Sequence, residues 1–141
     1  MRFAIIASRF NQFIVDQLVK GAQNVLEGQV THDIIWVPGA LEIPIVAQKA
    51  AKSGQYQALV CLGAVIKGTT HHYEHVSREV HQGITRVSLD CGLPVTMGVL
   101  TVETMAQAIE RAGGTCGNVG ANAALAALDV AKTIEKLGAK S

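Results

Sequence analysis

The middle of the chain reads Gly63-Ala64-Val65-Ile66-Lys67-Gly68-Thr69-Thr70-His71-His72-Tyr73-Glu74, directly after the apolar run Ala58-Leu59-Val60-Cys61-Leu62. The apolar run does not alternate with polar residues, which is typical of a strand that is buried on both faces of a sheet. After the segment, apolar residues recur at helical spacing, at Tyr73, Val76, Val80, Ile84 and Val87. We therefore predict that this segment is a strand-to-helix loop.

The chemistry of this loop favours an anion site. Its two glycines allow a tight turn, and its two threonines can cap the helix that follows. The histidines fall in the first helical turn, where free N–H groups and the helix dipole attract negative charge. The loop is therefore a plausible place for an anionic substrate and a proton carrier.

The rest of the chain alternates between strand and helix. Strands are predicted at residues 3–7, 34–37, 58–62 and 95–100, and helices at 12–26, 41–52, 73–87, from Thr101 or Thr104 to Arg111, and at 118–137, where Gly138 ends the last one. This alternation predicts an α/β three-layer sandwich, flavodoxin-like, with a short four-stranded parallel sheet and helices on both faces. In such sheets, ligands bind beyond the carboxyl ends of the strands, so the site is expected in loops 8–11, 37–42 and 63–72 and in the region from Met97 onward.

Length and composition narrow the function. The 141 residues are expected to form one domain over residues 1–141. Charged residues are 16%, hydrophobic ones 49% and the net charge is +1, so we expect no nucleic-acid partner and no anionic membrane. A small molecule or a second copy of the chain is the favoured partner, and the alanine-rich last helix suits subunit packing. The first apolar run is too short for a signal peptide or a membrane span, so a cytoplasmic protein is expected.

Metal and nucleophile chemistry are both disfavoured. Cys61, Cys91 and Cys116 are widely spaced without a C-x-x-C pair, and are read as packing thiols. His71 and His75 are four residues apart but lack the H-E-x-x-H order, so no metal is expected and general acid/base work is the better use of these histidines. No G-x-S-x-G occurs. The chemistry would therefore rely on a nucleophile of the substrate.

Three further side chains have a functional and an ordinary interpretation. Phe10, in a loop at a strand end, either stacks on a ligand or packs on its own helix. Glu42 either accepts hydrogen bonds from a hydroxylated ligand or complements a helix dipole. Arg111 either grips a phosphate or is a cation at a helix C-terminus.

Four segments, taken together, resemble the successive signatures of the lumazine synthase family. They are Ser8-Arg9-Phe10-Asn11, Val37-Pro38-Gly39-Ala40-Leu41-Glu42-Ile43-Pro44, the central segment quoted above, and Gln107-Ala108-Ile109-Glu110-Arg111-Ala112-Gly113. The resemblance covers almost the whole chain. It implies condensation of 5-amino-6-(D-ribitylamino)uracil with 3,4-dihydroxy-2-butanone 4-phosphate to 6,7-dimethyl-8-ribityllumazine, with water and phosphate released and with no cofactor or metal.

The resemblance also implies roles for individual residues. The residues that contact the aminouracil and its ribityl chain are Phe10, Ala40, Leu41, Glu42, Ala64, Val65, Ile66 and Met97. The residues that bind phosphate are Thr69, Thr70 and Arg111. His72 moves protons, while His71 and His75 are structural.

The family resemblance further implies a homo-oligomer, expected to be a pentamer whose sites are shared between subunits. Met97 and Arg111 would then reach a site built by the neighbour's Phe10 and His72. Many family members carry aromatic residues at the positions of Leu41 and Met97 and a lysine at the position of Val119. These departures keep open an alternative, a catalytically weak relative that binds lumazine or flavin or forms a shell. A second alternative, the archaeal riboflavin synthase, is disfavoured by the run from Thr70 to Glu74.

Overall fold

The computed structural model describes residues 1–69 and 72–139. Within them, four parallel strands form one sheet in the order β2-β1-β3-β4. The strands are β1 Arg2–Ser8, β2 Thr31–Val37, β3 Ala58–Ile66 and β4 Val95–Val102. The helices are α1 Gln12–Leu26, α2 Ile43–Lys52, α3 Tyr73–Cys91, α4 Met105–Arg111 and α5 Val119–Ala139. Turns of 3-10 helix occupy Ala40–Glu42 and Lys67–Thr69, and a short hairpin pairs β5 Ala112–Gly114 with β6 Gly117–Asn118.

The sheet has a separate apolar core on each face. One core packs α1 and α5 on side chains such as Phe3, Ile5 and Leu62. The other packs α2 and α3 on side chains such as Ile6 and Leu59. Every residue of β3 is buried, as expected of a central strand in a covered parallel sheet. The predicted three-layer α/β architecture and its flavodoxin-like strand order are confirmed.

The prediction for the middle of the chain was partly wrong. Residues 63–66 continue β3 instead of forming a loop, because β4 is long enough to pair with them up to Ile66 opposite Val102. Of the described residues that follow β3, Lys67–Thr69 form a 3-10 turn and His72 directly precedes α3. The last helix also passes through Gly138 to Ala139, so glycine does not end it as predicted.

Helix α5 approaches α1 closely through two glycines. A Cβ atom on Gly120 would overlap the carbonyl oxygen of Leu18, and one on Gly21 would overlap the Asn118 side chain. Asn118 fixes the crossing, since its Nδ2 donates to the Gln17 carbonyl oxygen at 3.0 Å and its Oδ1 accepts from the Ala121 N–H at 3.0 Å. This contact brings the start of α5 onto α1.

Helix α4 begins with a capping box. Thr104 accepts a hydrogen bond from the Gln107 N–H, and the Gln107 side chain bonds back to the Thr104 N–H. Of the two predicted caps, Thr104 is therefore the one used. None of the helices in the described ranges is long and apolar enough to cross a membrane.

A polar cluster joins β1 to β2 at the amino ends of the strands. Asp33 accepts two hydrogen bonds from the Arg2 guanidinium, at 2.8 and 3.0 Å, and one from the Tyr56 hydroxyl at 2.8 Å. The bonds from Arg2, followed by the bond from Tyr56, lower the pKa of the Asp33 carboxyl. A lowered folded-state pKa stabilises the fold above the ordinary carboxyl value, and this stabilisation is lost as the pH falls through the folded value.

Asp33→Asn should therefore lower the urea midpoint of unfolding at neutral pH. This effect should begin to fade below about pH 4, where the unfolded carboxyl becomes protonated, and should be lost once the pH is below the lowered folded-state pKa. Unfolding curves at several pH values check this. Asp90→Asn is the matched control, because its contact with Arg86 at 3.4 Å lies between two exposed side chains. If Asp33→Asn lowers the urea midpoint by the same amount at all pH values, the stabilisation does not come from the ionised Asp33 carboxylate.

Candidate functional site

A pocket of about 160 Å³ opens at the carboxyl end of the sheet. Its lining comes from the loop after β1, the turn after β2, the end of β3 and the second turn of α3, and consists of Phe10, Gly39, Ala40, Leu41, Glu42, Ala64, Val65 and Val76. Six of these were predicted site residues, and Gly39 and Val76 were not. We call this the edge pocket. It lies where ligands bind in open parallel sheets.

The loop after β1 holds Phe10 over the pocket. The Arg9 and Phe10 N–H groups donate to the Val37 and Pro38 carbonyl oxygens at 2.8 and 3.1 Å, which ties the loop to the end of β2. Phe10 remains 51% exposed, so it does not pack away on its own helix. Its ring is available to stack on a flat ligand.

Asn11 is a site-building residue that sequence reasoning missed. It has left-handed backbone angles, φ 59° and ψ 44°, directly before α1, and its Nδ2 donates to the Ala64 carbonyl oxygen at 3.1 Å. Asparagine is one of the few residues with a side chain that adopts this conformation readily. The signal in the sequence was an asparagine between an aromatic loop residue and a helix.

Asn11→Gly should cost about 1 kcal/mol of unfolding free energy, since it removes the bond to Ala64 but suits the left-handed backbone. Asn11→Ala should cost about 1–2 kcal/mol more, because the Cβ atom of alanine is crowded by the backbone in the left-handed conformation. Denaturant unfolding of the two variants measures the difference. Equal stability of the glycine and alanine variants would rule out backbone strain at this position.

The turn at residues 39–42 forms the second wall. The Glu42 N–H donates to the Gly39 carbonyl oxygen at 3.2 Å, and a Cβ atom on Gly39 would lie 3.1 Å from the Glu42 Oε1. The carboxylate of Glu42 therefore folds back over Gly39 while remaining exposed. It can accept hydrogen bonds from hydroxyl groups of a ligand in the pocket.

The end of β3 and the start of α3 complete the pocket. Ala64 and Val65 line it, whereas the buried Ile66 side chain belongs to the α1 and α5 core, so only its backbone can serve a ligand. His72 is exposed directly before α3, and its carbonyl oxygen accepts from the N–H of Val76, which lines the pocket. His72 thus stands one helical turn from the pocket wall.

Besides Ile66 and His72, two further predicted site residues do not line this pocket. Met97 lies midway along β4, opposite Cys61, and packs half-buried against the α2 and α3 core. Arg111 is exposed at the end of α4, beside the hairpin. Thr70 and His71 lie outside the described residues, and so does the side chain of Thr69. A single chain therefore brings together most of the residues predicted to contact the aminouracil. Met97 is not among them, and neither is Arg111, the cation predicted to bind phosphate.

Among the described residues, the Cys61 thiol is buried and no set of metal ligands is found. Burial raises the pKa of the Cys61 thiol to about 12, which keeps it protonated and inert. In residues 1–69 and 72–139, no three side chains of His, Cys, Asp or Glu are grouped as a metal site would require. What the pocket offers is an aromatic face, a carboxylate and strand-end backbone groups, with a histidine nearby.

The chain matches a known protein family over most of its length. The model of the family described as 6,7-dimethyl-8-ribityllumazine synthase matches residues 1–135, which is nearly the whole chain. The match includes all four segments that carry the sequence resemblance, as well as every residue that lines the edge pocket. The chain therefore belongs to the 6,7-dimethyl-8-ribityllumazine synthase family.

Proposed function

We propose that this protein is a riboflavin-pathway enzyme that condenses 5-amino-6-(D-ribitylamino)uracil with 3,4-dihydroxy-2-butanone 4-phosphate to give 6,7-dimethyl-8-ribityllumazine, water and phosphate. The observation that carries the proposal is the convergence of three family segments, at Phe10, at residues 40–42 and at residues 64–65, on one pocket. The pocket chemistry suits a flat ring that carries a polyhydroxylated chain.

The proposed mechanism needs positioning and proton transfer more than covalent help from the protein. Phe10 stacks on the uracil, Ala64, Val65 and Ile66 offer backbone groups to its edge, and residues 40–42 hold the ribityl chain. The primary amine of the uracil attacks the ketone carbon, and water leaves to give an imine. Removal of a proton beside the imine lets phosphate depart from the neighbouring carbon and leaves an enol, which becomes a ketone. The ribityl-bearing nitrogen attacks this carbonyl carbon, and loss of a second water closes the ring.

His72 is the proposed carrier of these protons. The support for this role is the position of its backbone at the start of α3, one turn before Val76, which lines the pocket. Histidine titrates near neutral pH, so it can both accept and donate a proton in one turnover. Thr69, Thr70 and Arg111 are the proposed phosphate ligands.

The proposed assembly is a cytoplasmic homopentamer with sites shared between neighbours. Its support is the incompleteness of the pocket, since about 300–1,000 Å³ is usual for a small-molecule site and one chain encloses only about 160 Å³. Large apolar side chains also face outward, with Phe13 at 70%, Leu89 at 78% and Leu137 at 67% exposure. Cys61, Cys91 and Cys116 are all free thiols, which suits a reducing compartment.

The competing proposal is a catalytically weak binder or shell-forming relative. The observation in its favour is Val119, which packs against the α1 and α5 core, so that no cation stands where many family members have lysine. Incubation of both substrates with the protein, followed by lumazine absorbance, separates the two proposals. Enzyme-dependent lumazine formation supports catalysis, whereas tight lumazine binding without turnover supports the weak relative.

The shared site predicts complementation between two impaired variants. Phe10→Ala should raise KM for the aminouracil about 10-fold or more, as expected for a lost stacking contact, and Arg111→Ala should raise KM for the butanone phosphate. If the two residues serve one site from different subunits, co-assembled Phe10→Ala and Arg111→Ala chains should recover part of the wild-type activity. Activity of the mixture equal to the sum of the separate variants would place both residues in one subunit's site.

A further inference from the structure

One buried polar atom near the edge pocket has no partner in the protein. Ser8, the last residue of β1, is 1% exposed, and across residues 1–69 and 72–139 its Oγ is the one buried side-chain nitrogen or oxygen without a hydrogen bond. A hydroxyl left unpaired in a protein interior is unfavourable, because it gives up its hydrogen bonds to water without a replacement. Such a group calls for a partner from outside the chain.

The surroundings of Ser8 place this hydroxyl beside the elements that form the edge pocket, although Ser8 itself does not line it. Its Oγ lies 2.8 Å from where a Cβ atom on Gly63 would be, and Ile43 Cδ1 and Val99 Cγ1 lie 3.5 and 3.6 Å from the same point. Two residues after Gly63, on the same face of β3, Val65 lines the pocket. Ile43 directly follows Glu42, the end of the pocket wall.

The connections of Ser8 along the chain lead to the same place. Ser8 pairs in register with Val37, after which the chain turns into the pocket wall at residues 39–42. Two residues after Ser8 comes Phe10, the aromatic face of the pocket. The absence of a side chain on Gly63 is what makes room for the hydroxyl, since any larger residue there would meet it.

We propose that Ser8 is a positioning residue of this site, whose hydroxyl forms a hydrogen bond with the polar edge of the bound aminouracil or lumazine ring, directly or through one trapped water. The bond is made when the pocket is filled. In the empty protein the hydroxyl contributes nothing favourable to stability. This inference rests on the proposed function, because it takes the ring-bearing substrate as the ligand.

Ser8→Ala tests the proposal through two independent readouts. The unfolding midpoint of the ligand-free protein should stay the same or rise, because the substitution removes a buried polar group that has no partner. The dissociation constant for 6,7-dimethyl-8-ribityllumazine, measured by fluorescence titration, should rise roughly 2- to 10-fold, the loss expected for one hydrogen bond between neutral groups. KM for the aminouracil should rise similarly, while KM for the butanone phosphate and kcat should be unchanged.

Cys61→Ala is the matched control, because Cys61 is buried on the same face of β3, one row further from the pocket. It should lower the unfolding midpoint and leave lumazine binding as in the wild type. If Ser8→Ala behaves like this control, with a lowered midpoint and unchanged binding, the hydroxyl is structural and the proposal is overturned. Unchanged binding with an unchanged midpoint also overturns it. Failure of the wild-type protein itself to bind lumazine would instead refute the proposed function.

Discussion

His72→Ala should lower kcat moderately, by roughly 10- to 100-fold, with little change in KM for either substrate. Proton transfer by a positioned side chain contributes about 100- to 10,000-fold to a rate, and solvent water replaces only part of it. His72 is exposed beside the pocket and does not line it. Its loss should therefore impair the chemical step more than substrate binding.

His75→Ala is the control for this experiment. His75 is also exposed and lies in the first turn of α3, three residues further along the chain, and we assign it no part in the reaction. Its kcat should stay within about twofold of the wild type, as expected of a surface substitution away from the site. Equal losses in the two variants would remove His72 from the mechanism and leave a general effect on α3.

The substitution Gly120→Ala adds one methyl group. It should destabilise the protein more than a methyl group added at any other described glycine. Its Cβ atom would overlap the carbonyl oxygen and neighbouring backbone of Leu18, and backbone cannot move aside as a flexible side chain does. Overpacking of this kind costs about 3 kcal/mol or more when the neighbour is rigid. A loss of that size should lower the thermal midpoint by roughly 10 °C for a chain of this length.

Gly138→Ala provides the comparison on the same helix. Nothing lies within 4 Å of the position that its Cβ would occupy, and alanine favours helix, so the midpoint should hold or rise slightly. Thermal unfolding by circular dichroism measures both variants. Similar midpoints for the two would mean that α1 and α5 do not cross through Gly120.

The fold was predictable because its signals are local. Apolar runs without alternation mark β1 and β3, helical spacing marks the helices, and the predicted range of α1 is the observed Gln12–Leu26. The end of β3 was not predictable in this way. Gly63 and Ala64 read as a turn, and only pairing with β4 keeps them in the strand. The hairpin at residues 112–118 was missed for another reason, because its strands are too short to show a hydrophobic pattern.

The site was predictable in its residues more than in its construction. The aromatic, carboxylate and strand-end residues that line the pocket were named in advance through the family resemblance, and their roles stay predictions. Asn11, Val76 and Ser8 were missed, since their contributions are a left-handed turn, a packed wall and a buried hydroxyl. These depend on which strand ends lie side by side, and a single sequence does not display that arrangement.

The measurement that tests the proposed reaction most directly is the ratio of lumazine formed to phosphate released, with both substrates present and purified protein at catalytic concentration. We predict one phosphate for each lumazine, over many turnovers, and neither product at the enzymatic rate when either substrate is omitted. Phosphate release without lumazine, or no product above the uncatalysed rate while lumazine still binds, would contradict the assignment of this chain as a lumazine-forming enzyme.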